Sequence, residues 1–375
     1  MYRNTYALID TKKIYENVKY IVNNYKYDHY IGVVKNNAYN HGIETINSMI
    51  KAGINYLAVS SLDEALQIRK NYAKIPILIL EPVDIKHIEQ CDYYNIAITV
   101  ESLKYVKELL EVKLNKSIYI HFKVDSGMNR LGFKDASELK LAYDLISTND
   151  KLIVEGIYSH FATSGLNDRY YRNQILTFQK ITSNIDLSKI PMVHLGRSIT
   201  LVNNEKISFC NACRLGMAMY GGFGKKQLSG KKQKIKNFIK KLFGKETKLP
   251  KILPLNTAFE LYTEVMSIRT VKSGEYIGYG TYKAETDISI ATLPIGYADG
   301  VDSSFKYVWI NDNYCEILAD TMDMIMVRVS TKVKVGDKVE IIGKNISLEM
   351  ICENTKLNSY HLFNKITNRV QRKYK

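Results

Sequence analysis

The feature that most restricts the fold is an alternation of short β-branched runs with helical patterns of similar length, which starts near residue 30. Such alternation is typical of a parallel sheet wrapped by helices, and eight strands suffice to close a (β/α)8 barrel like that of the TIM fold. Ser61 and Glu64 predict a capping box at the start of one intervening helix. The predicted strands are 30–35, 56–60, 75–80, 96–100, 118–124, 153–159, 192–195 and 212–214.

The pattern changes after residue 251. Short alternating strands separated by Ser-Gly, Tyr-Gly and Val-Gly-Asp turns predict a second, mostly-β domain. We expect residues 5–10 to add a strand to this domain, and residues 11–24 to form the first helix. The predicted strands of the second domain are 263–271, 288–294, 314–318, 324–329 and 338–342. The expected division is a barrel (1–224), a basic inserted segment (225–251) and the β domain (252–375).

Composition argues against several classes of protein. The 375 residues carry a formal charge of +15, but no zinc-finger, helix-turn-helix or RNP-like motif accompanies it, so we do not expect nucleic-acid binding. No apolar stretch is long enough to span a bilayer, and the start of the chain is polar and mixed. The five cysteines show no zinc-ligand spacing. We therefore expect reduced thiols, no metal site and a cytoplasmic location.

Polar residues follow the predicted barrel strands at their carboxyl ends, where the chemistry of such barrels collects. They are Lys35, Tyr39, Lys123, Arg130, His160, Ser198 and Arg214. Lys35 closes the first strand, where an amine can bond covalently to a carbonyl cofactor. A solvated strand edge is the commoner role for such a lysine, so the neighbouring groups decide the interpretation. Together they favour an anionic ligand that carries a carbonyl group.

Six motifs extend this interpretation along nearly the whole chain. They are VVKNNAYNHG (33–42), HFKVDSGMNRLGF (121–133), GIYSHFA (156–162), RLGMAMYG (214–221), GYGTY (278–282) and PIGYADG (294–300). In sequence and in order they resemble the alanine racemases, pyridoxal 5'-phosphate (PLP) enzymes with an N-terminal barrel and a C-terminal β domain. The resemblance implies a homodimeric amino-acid racemase that supplies D-alanine for peptidoglycan.

The resemblance also implies two catalytic bases. Lys35 matches the lysine that binds PLP covalently and then acts on one face of the substrate α-carbon. Tyr282 matches the base on the opposite face, which in the family comes from the other subunit. A phenol needs nearby positive charge to act near neutral pH, and we expect His160 and Arg214 to supply it. A packed β-domain tyrosine is the alternative for Tyr282, since the chain contains 28 tyrosines.

Further residues match cofactor and substrate contacts of the family. Arg214 matches the donor to the pyridine nitrogen. Five residues match the family positions that bind the cofactor phosphate: Tyr39, Ser198, Gly216, Met217 and Tyr360. Three residues match the family positions that contact the substrate carboxylate: Arg130, Met322 and Asp323. Lys123 matches a lysine that is often carbamylated in the family and that then holds the arginine in place. Arg197 stands where the family usually has asparagine.

Substrate choice is less closely defined. Tyr360 and Tyr282 would crowd the α-substituent, which favours alanine, although a serine or broader-specificity racemase remains an alternative because an apolar pocket discriminates weakly against an added hydroxyl. Thr321 and Val301 also depart from the usual pattern near the entrance. Two other classes compete. A PLP-binding regulatory protein would usually lack the β domain, and a decarboxylase of this fold would need a carboxylate rather than Arg214 at the ring nitrogen.

The basic segment 225–251 has apolar residues at helical spacing, with lysines on the other face. We predict an amphipathic helix. Contact with an anionic membrane surface or a partner is one role for it, and a solvated linker helix laid on the barrel is the more common one.

Overall fold

A computed structural model of the chain describes residues 3–166, 169–222, 253–280 and 282–375. The chain begins with strand β1 (Tyr6–Ile9), which pairs antiparallel with a strand of the second domain, Ile9 lying opposite Phe259. Helix α1 (Thr11–Asn24) follows, and the side chain of Asp10 caps it by accepting from the Lys13 amide. Both the added strand and the first helix are therefore confirmed.

Eight parallel strands then form the barrel. They are β2 (His29–Val33), β3 (Tyr56–Val59), β4 (Ile77–Ile79), β5 (Ile98–Val100), β6 (Ile118–Lys123), β7 (Leu152–Tyr158), β8 (Met192–His194) and β9 (Ala212–Leu215). Regular pairing gives two half-barrels, β4-β3-β2-β9 and β5-β6-β7-β8. At one seam Ala97 donates to the Ile77 carbonyl at 2.8 Å, and at the other Arg214 donates through its amide to Gly196 at 3.1 Å. These bonds close the barrel, as predicted.

Helical segments follow the barrel strands. They are α2 (Lys35–Tyr39), α3 (Ile46–Ala52), α4 (Leu62–Arg69), α5 (Ile88–Tyr94), α6 (Leu103–Leu110), α7 (Ala136–Ser147), α8 (Arg169–Ile181) and α9 (Ser198–Asn203). Ser61, Ser102 and Asp135 cap α4, α6 and α7 through their side-chain oxygens. In the predicted capping box, however, the Glu64 carboxylate accepts from the Ser60 amide instead of that of Ser61.

Segment α2 is a turn of left-handed helix. Residues 36–40 all have φ between 49° and 68°, a conformation that costs roughly 1–2 kcal/mol per residue for most side chains. Three of these residues are asparagine, which tolerates it best. Glu64 also helps, because its second carboxylate oxygen accepts from the Asn36 amide at 2.6 Å. The turn thus holds the chain in a fixed conformation directly after β2.

The second domain is a nine-stranded sheet with the order β11-β14-β17-β16-β15-β18-β10-β1-β19, beside a small β12-β13 hairpin. Its strands are β10 (Phe259–Glu264), β11 (Ser267–Val271), β12 (Tyr276–Ile277), β13 (Tyr282–Lys283), β14 (Ile288–Leu293), β15 (Tyr307–Ile310), β16 (Asn313–Asp320), β17 (Ile325–Arg328), β18 (Lys338–Ile342) and β19 (Gln371–Tyr374). Helices α10 (Leu348–Thr355) and α11 (Ser359–Lys365) precede the last strand.

The prediction of one strand over 263–271 is wrong. The chain changes partners at Val265, so that β10 pairs with β1 and β18 whereas β11 pairs with β14. Strands β15 and β19 were not predicted. The amphipathic helix predicted for 225–251 lies outside the described residues, and no helix among the described residues is long and apolar enough to cross a membrane.

Asp299 lies buried beside the N-terminal segment, where its carboxylate accepts from Arg3 at 2.6 Å and from the Gly296 amide at 3.0 Å. Asp299→Ala should lower the free energy of unfolding of the β domain by about 1–3 kcal/mol, because the buried Gly296 amide loses its acceptor and Arg3 loses its ion-pair partner. Chemical unfolding monitored by Trp309, the one tryptophan, measures this. Asp287→Ala removes an exposed partner of Lys272 and should leave the midpoint nearly unchanged. Equal effects of the two changes would contradict the account.

Candidate active site

A cavity of about 600 Å³ lies at the carboxyl ends of the barrel strands. Its lining contains five basic side chains, one carboxylate, several hydroxyls and one histidine. The residues are Val33, Lys35, Tyr39, Ser60, Leu80, Glu81, Lys123, Arg130, Leu131, Tyr158, His160, Arg197, Ser198, Arg214, Gly216, Tyr360 and Asn364. Such an excess of positive charge suits an anionic ligand.

Most of the site residues predicted from sequence meet in this cavity. Those that line it are Lys35, Tyr39, Lys123, Arg130, His160, Ser198, Arg214, Gly216 and Tyr360. Met217 is fully buried beside Gly216 and is not part of the lining. Tyr282, Met322 and Asp323 belong to the β domain and do not line the cavity of their own chain.

Lys35 and Tyr39 are brought together by the left-handed turn. Lys35 begins the turn and Tyr39 ends it, and both side chains reach the cavity. The Asn36 side chain also donates to Asn364 in α11 at 2.7 Å. The β domain therefore contributes to fixing the position of the lysine.

One corner of the cavity is rich in hydrogen-bond donors. The Ser198 hydroxyl accepts from the Gly216 amide at 2.9 Å, and a Cβ added at Gly216 would come within 3.0 Å of the Tyr39 hydroxyl. Arg197 borders the same corner, donates to the Thr163 carbonyl at 2.9 Å, and has a buried Nε without a hydrogen-bond partner among the described residues. The corner therefore combines a close backbone approach with a guanidinium hydrogen that is free to bind a ligand.

Arg214 extends from β9 across the interior and is buried. Its Nη1 donates to His194 Nδ1 and to the His194 carbonyl at 2.7 and 2.6 Å, and its Nη2 donates to the Ser159 and Leu195 carbonyls at 2.6 and 3.1 Å. A guanidinium has five N–H donors. Four are engaged by the barrel, which leaves the Nε hydrogen for a ligand. Burial lowers the pKa of Arg214 to about 10, so the group stays charged at neutral pH.

Lys123 lies at the end of β6 with its Nζ 4.6 Å from the centroid of the Tyr158 ring. Burial, together with the charges of Arg214 and Arg130, holds its pKa well below the usual range. A neutral lysine amine is nucleophilic. The cavity therefore contains two candidate amines, Lys35 and Lys123.

His160 does not carry the positive charge expected of it. Burial, followed by the nearby charge of Arg214, lowers its pKa to about 2. His160 therefore adds no charge to the cavity of the single chain, and its action on Tyr282, which does not line this cavity, stays a prediction. Within one chain the cation beside Tyr282 is Arg328, whose Nη2 donates to the phenol and whose guanidinium lies 5.7 Å from the ring centroid.

The substrate residues predicted in the β domain are exposed in the single chain. Met322 is 51% exposed, and Asp323 accepts from Arg369 at 2.6 Å on the surface. Exposed large apolar side chains of the same domain include Ile268, Tyr276, Tyr279 and Met324.

Several residues of the site were missed by sequence reasoning. Arg197 stands out in the sequence only as a departure from a motif. The position of Glu64 predicts a helix cap, and no pattern assigns a role to the residues behind Arg214, namely Glu155, His121 and His194. Polar side chains at interior-facing strand positions are the sequence signal for the two histidines, whereas Glu155 lies at an irregularity of β7 that strand alternation does not predict.

The residues present fit PLP. The volume, the two amines, the donor-rich corner with its close approach at Gly216 and the free Nε hydrogens match an aldehyde with a phosphate and a ring nitrogen.

A closed barrel joined to a β domain, with lysine and arginine at the barrel mouth, is the architecture that the sequence motifs predict for this class of protein. The alanine racemase N-terminal domain model matches residues 9–223, and the alanine racemase C-terminal domain model matches residues 258–374. The chain belongs to the alanine racemase family.

Full-length relatives support this membership. The chain is 31% identical to alanine racemase 1 of Bacillus subtilis, with 100% of this chain and 93% of the relative covered. The crystal structure of alanine racemase from E. faecalis matches with a TM-score of 0.88 at 30% identity, covering 100% and 98% of the two chains. A histidine racemase from Leuconostoc mesenteroides matches with a TM-score of 0.85 at 26% identity, covering 100% and 98%.

Proposed function

We propose that this chain is a PLP-dependent racemase that interconverts L- and D-alanine and supplies D-alanine for peptidoglycan. One observation carries the proposal: the side chains of Lys35 and of a charged Arg214 line the same cavity. Family membership across both domains supports it.

Lys35 would hold the cofactor covalently through Nζ, and Arg214 would donate its Nε hydrogen to the ring nitrogen. When bound, PLP withdraws electrons from the α-carbon of the attached amino acid. An arginine donor leaves the ring nitrogen unprotonated, because guanidinium keeps its proton. The weaker electron withdrawal favours prompt reprotonation of the α-carbon, which is the outcome of racemisation.

The phosphate would lie in the donor-rich corner. The hydroxyls of Tyr39, Ser198 and Tyr360 would donate to it. The backbone at Gly216 and Met217 would border it, with the Gly216 amide holding the Ser198 hydroxyl in place. Arg197 would add a guanidinium donor. Its buried Nε without a partner supports that contact.

Proton transfer would use two opposed bases. Lys35 Nζ would serve one face of the α-carbon and Tyr282 Oη the other, one removing the proton and the other supplying one. Since Tyr282 does not line the cavity of its own chain, it would come from the partner in a homodimer. The exposed apolar side chains near it supply a surface for such an interface.

The substrate carboxylate would meet Arg130, whose guanidinium matches a carboxylate in shape and charge. Met322 and Asp323 would border it from the partner subunit. The lowered pKa of Lys123 makes its amine available to add carbon dioxide with release of one proton, and the resulting carbamate anion would orient Arg130. Tyr360 restricts the space near the α-carbon, which favours alanine over larger side chains.

The first test is an absorbance spectrum of the purified protein followed by chiral assays with L-alanine, L-serine and L-histidine. We expect a yellow protein with alanine as the preferred substrate, and loss of racemisation in Lys35→Ala. A colourless protein that PLP does not reconstitute would contradict the cofactor. A yellow protein that prefers serine or histidine would contradict the substrate.

Mixing two inactive variants tests the shared site. In a hybrid of Lys35→Ala and Tyr282→Phe protomers, one cavity regains both bases, so a refolded equal mixture should recover about a quarter of wild-type activity. Each variant refolded alone is the control. No recovery, with dimers present by sedimentation, would contradict the sharing of the site.

Arg197→Asn tests the phosphate contact. It should raise the dissociation constant for PLP about tenfold or more, because a charge-assisted hydrogen bond is lost, and leave that for pyridoxal, which lacks the phosphate, unchanged. Absorbance titration of the apoprotein measures both constants. Arg172→Asn, on the exposed face of α8, is the matched control. Equal losses for PLP and pyridoxal would contradict a phosphate contact.

A further inference from the structure

A line of hydrogen bonds runs through the barrel interior behind Arg214. Arg214 Nη1 lies 2.7 Å from His194 Nδ1, and His194 Nε2 lies 3.1 Å from His121 Nδ1. His121 Nε2 lies 3.0 Å from Glu155 Oε2, which also accepts from the Tyr56 hydroxyl at 2.6 Å. Both imidazoles are fully buried. Arg214 is thus connected to Glu155 through two histidines, His121 on β6 and His194 on β8, the strands on either side of β7.

The order of donors along this line is determined from the Arg214 end. Guanidinium only donates, so His194 Nδ1 must accept, and a neutral His194 then carries its proton on Nε2. That proton is donated to His121 Nδ1, which leaves the His121 proton on Nε2. The last donor requires an acceptor, and the Glu155 carboxylate is the acceptor present.

The electrostatics agree with this order. Burial and the charge of Arg214 hold the pKa of His194 well below its usual range, which keeps this ring neutral. Burial alone would raise the pKa of Glu155, but the hydrogen bond and electrostatic interaction with His121, followed by the hydrogen bond from Tyr56, outweigh it and lower the pKa. Glu155 is therefore ionised at neutral pH and accepts from both neighbours.

A β-bulge in β7 places Glu155 at the end of this line of hydrogen bonds. Ile120 lies opposite Val154 and His121 lies opposite Gly156, so Glu155 is the extra residue of a β-bulge in β7. Bulges redirect a side chain, and they are common beside active sites. At Gly156 an added Cβ would lie 2.2 Å from His121 Nδ1. Only glycine at this position leaves room for the His121 ring.

We propose that Glu155 is a remote positioning residue for Arg214, setting the tautomers of His121 and His194 so that Arg214 keeps all four Nη hydrogen bonds and aims Nε at the ligand. Without the terminal acceptor, His121 is free to exchange its tautomer. His194 would then be free to present an N–H to Nη1, and one anchor of the guanidinium would be lost. This role rests on the proposed function of Arg214 as the donor to the cofactor ring nitrogen.

Nitrogen-15 NMR of the histidine-labelled holoenzyme reads the tautomers directly, with His121→Gln and His194→Gln used for assignment. We expect both rings to be neutral with the proton on Nε2. An Nδ1 proton or an imidazolium on either ring would overturn the proposal. Because no substrate is involved, this result is independent of whether the protein racemises alanine.

Variants of Glu155 test the consequence for the cofactor. Glu155→Met is similar in length but lacks the acceptor, whereas Glu155→Gln retains an amide oxygen. We expect Glu155→Met to weaken PLP binding about tenfold and to shift the absorbance maximum of the bound cofactor, with Glu155→Gln close to wild type in both. Unchanged binding and spectrum in a folded Glu155→Met protein would overturn the proposal, as would equal losses in the two variants.

Discussion

The buried guanidinium of Arg214 is the group on which the rest of the site depends. A charge in the barrel interior is tolerated only when its hydrogen bonds are satisfied. Arg214 meets this requirement by bonding to residues that follow or end β7 and β8 and by donating its own amide across the seam to Gly196. The same contacts that close the barrel therefore orient the Nε hydrogen. Barrel closure and presentation of a donor to the ligand are one structural feature.

The other fixed element is the lysine-bearing turn after β2. Its left-handed backbone is unfavourable, and Glu64 and Asn364 hold it from two sides, one in the barrel layer and one in the β domain. The cavity then gathers five basic side chains around a single carboxylate, Glu81. An anionic cofactor would neutralise much of this charge. The second base and part of the substrate pocket are exposed on the β domain, so a single chain holds two incomplete halves of the proposed site, and a dimer would combine them.

Local signals in the sequence were enough for much of the fold. Helix α1 can be predicted from nearby residues alone, because Asp10 caps it and its apolar residues recur at helical spacing. The barrel strands are likewise local signals, since they are short β-branched runs separated by helices. The sequence of strand β19 is polar and does not predict a strand. The segment becomes a strand because it pairs with β1. The break between β10 and β11 depends on partners far away in sequence. Strand-end residues were predictable because barrel topology brings them together. Arg197 and Glu155 were not, because their roles depend on a loop contact and on a β-bulge.

The central claim is that Lys35, and not the more deeply buried amine of Lys123 in the same cavity, anchors the cofactor. Borohydride reduction of the holoenzyme makes the covalent link permanent, and peptide mapping by mass spectrometry then identifies the modified lysine. The account predicts the pyridoxyl group on Lys35 alone. Finding it on Lys123, or on neither residue, would contradict the account.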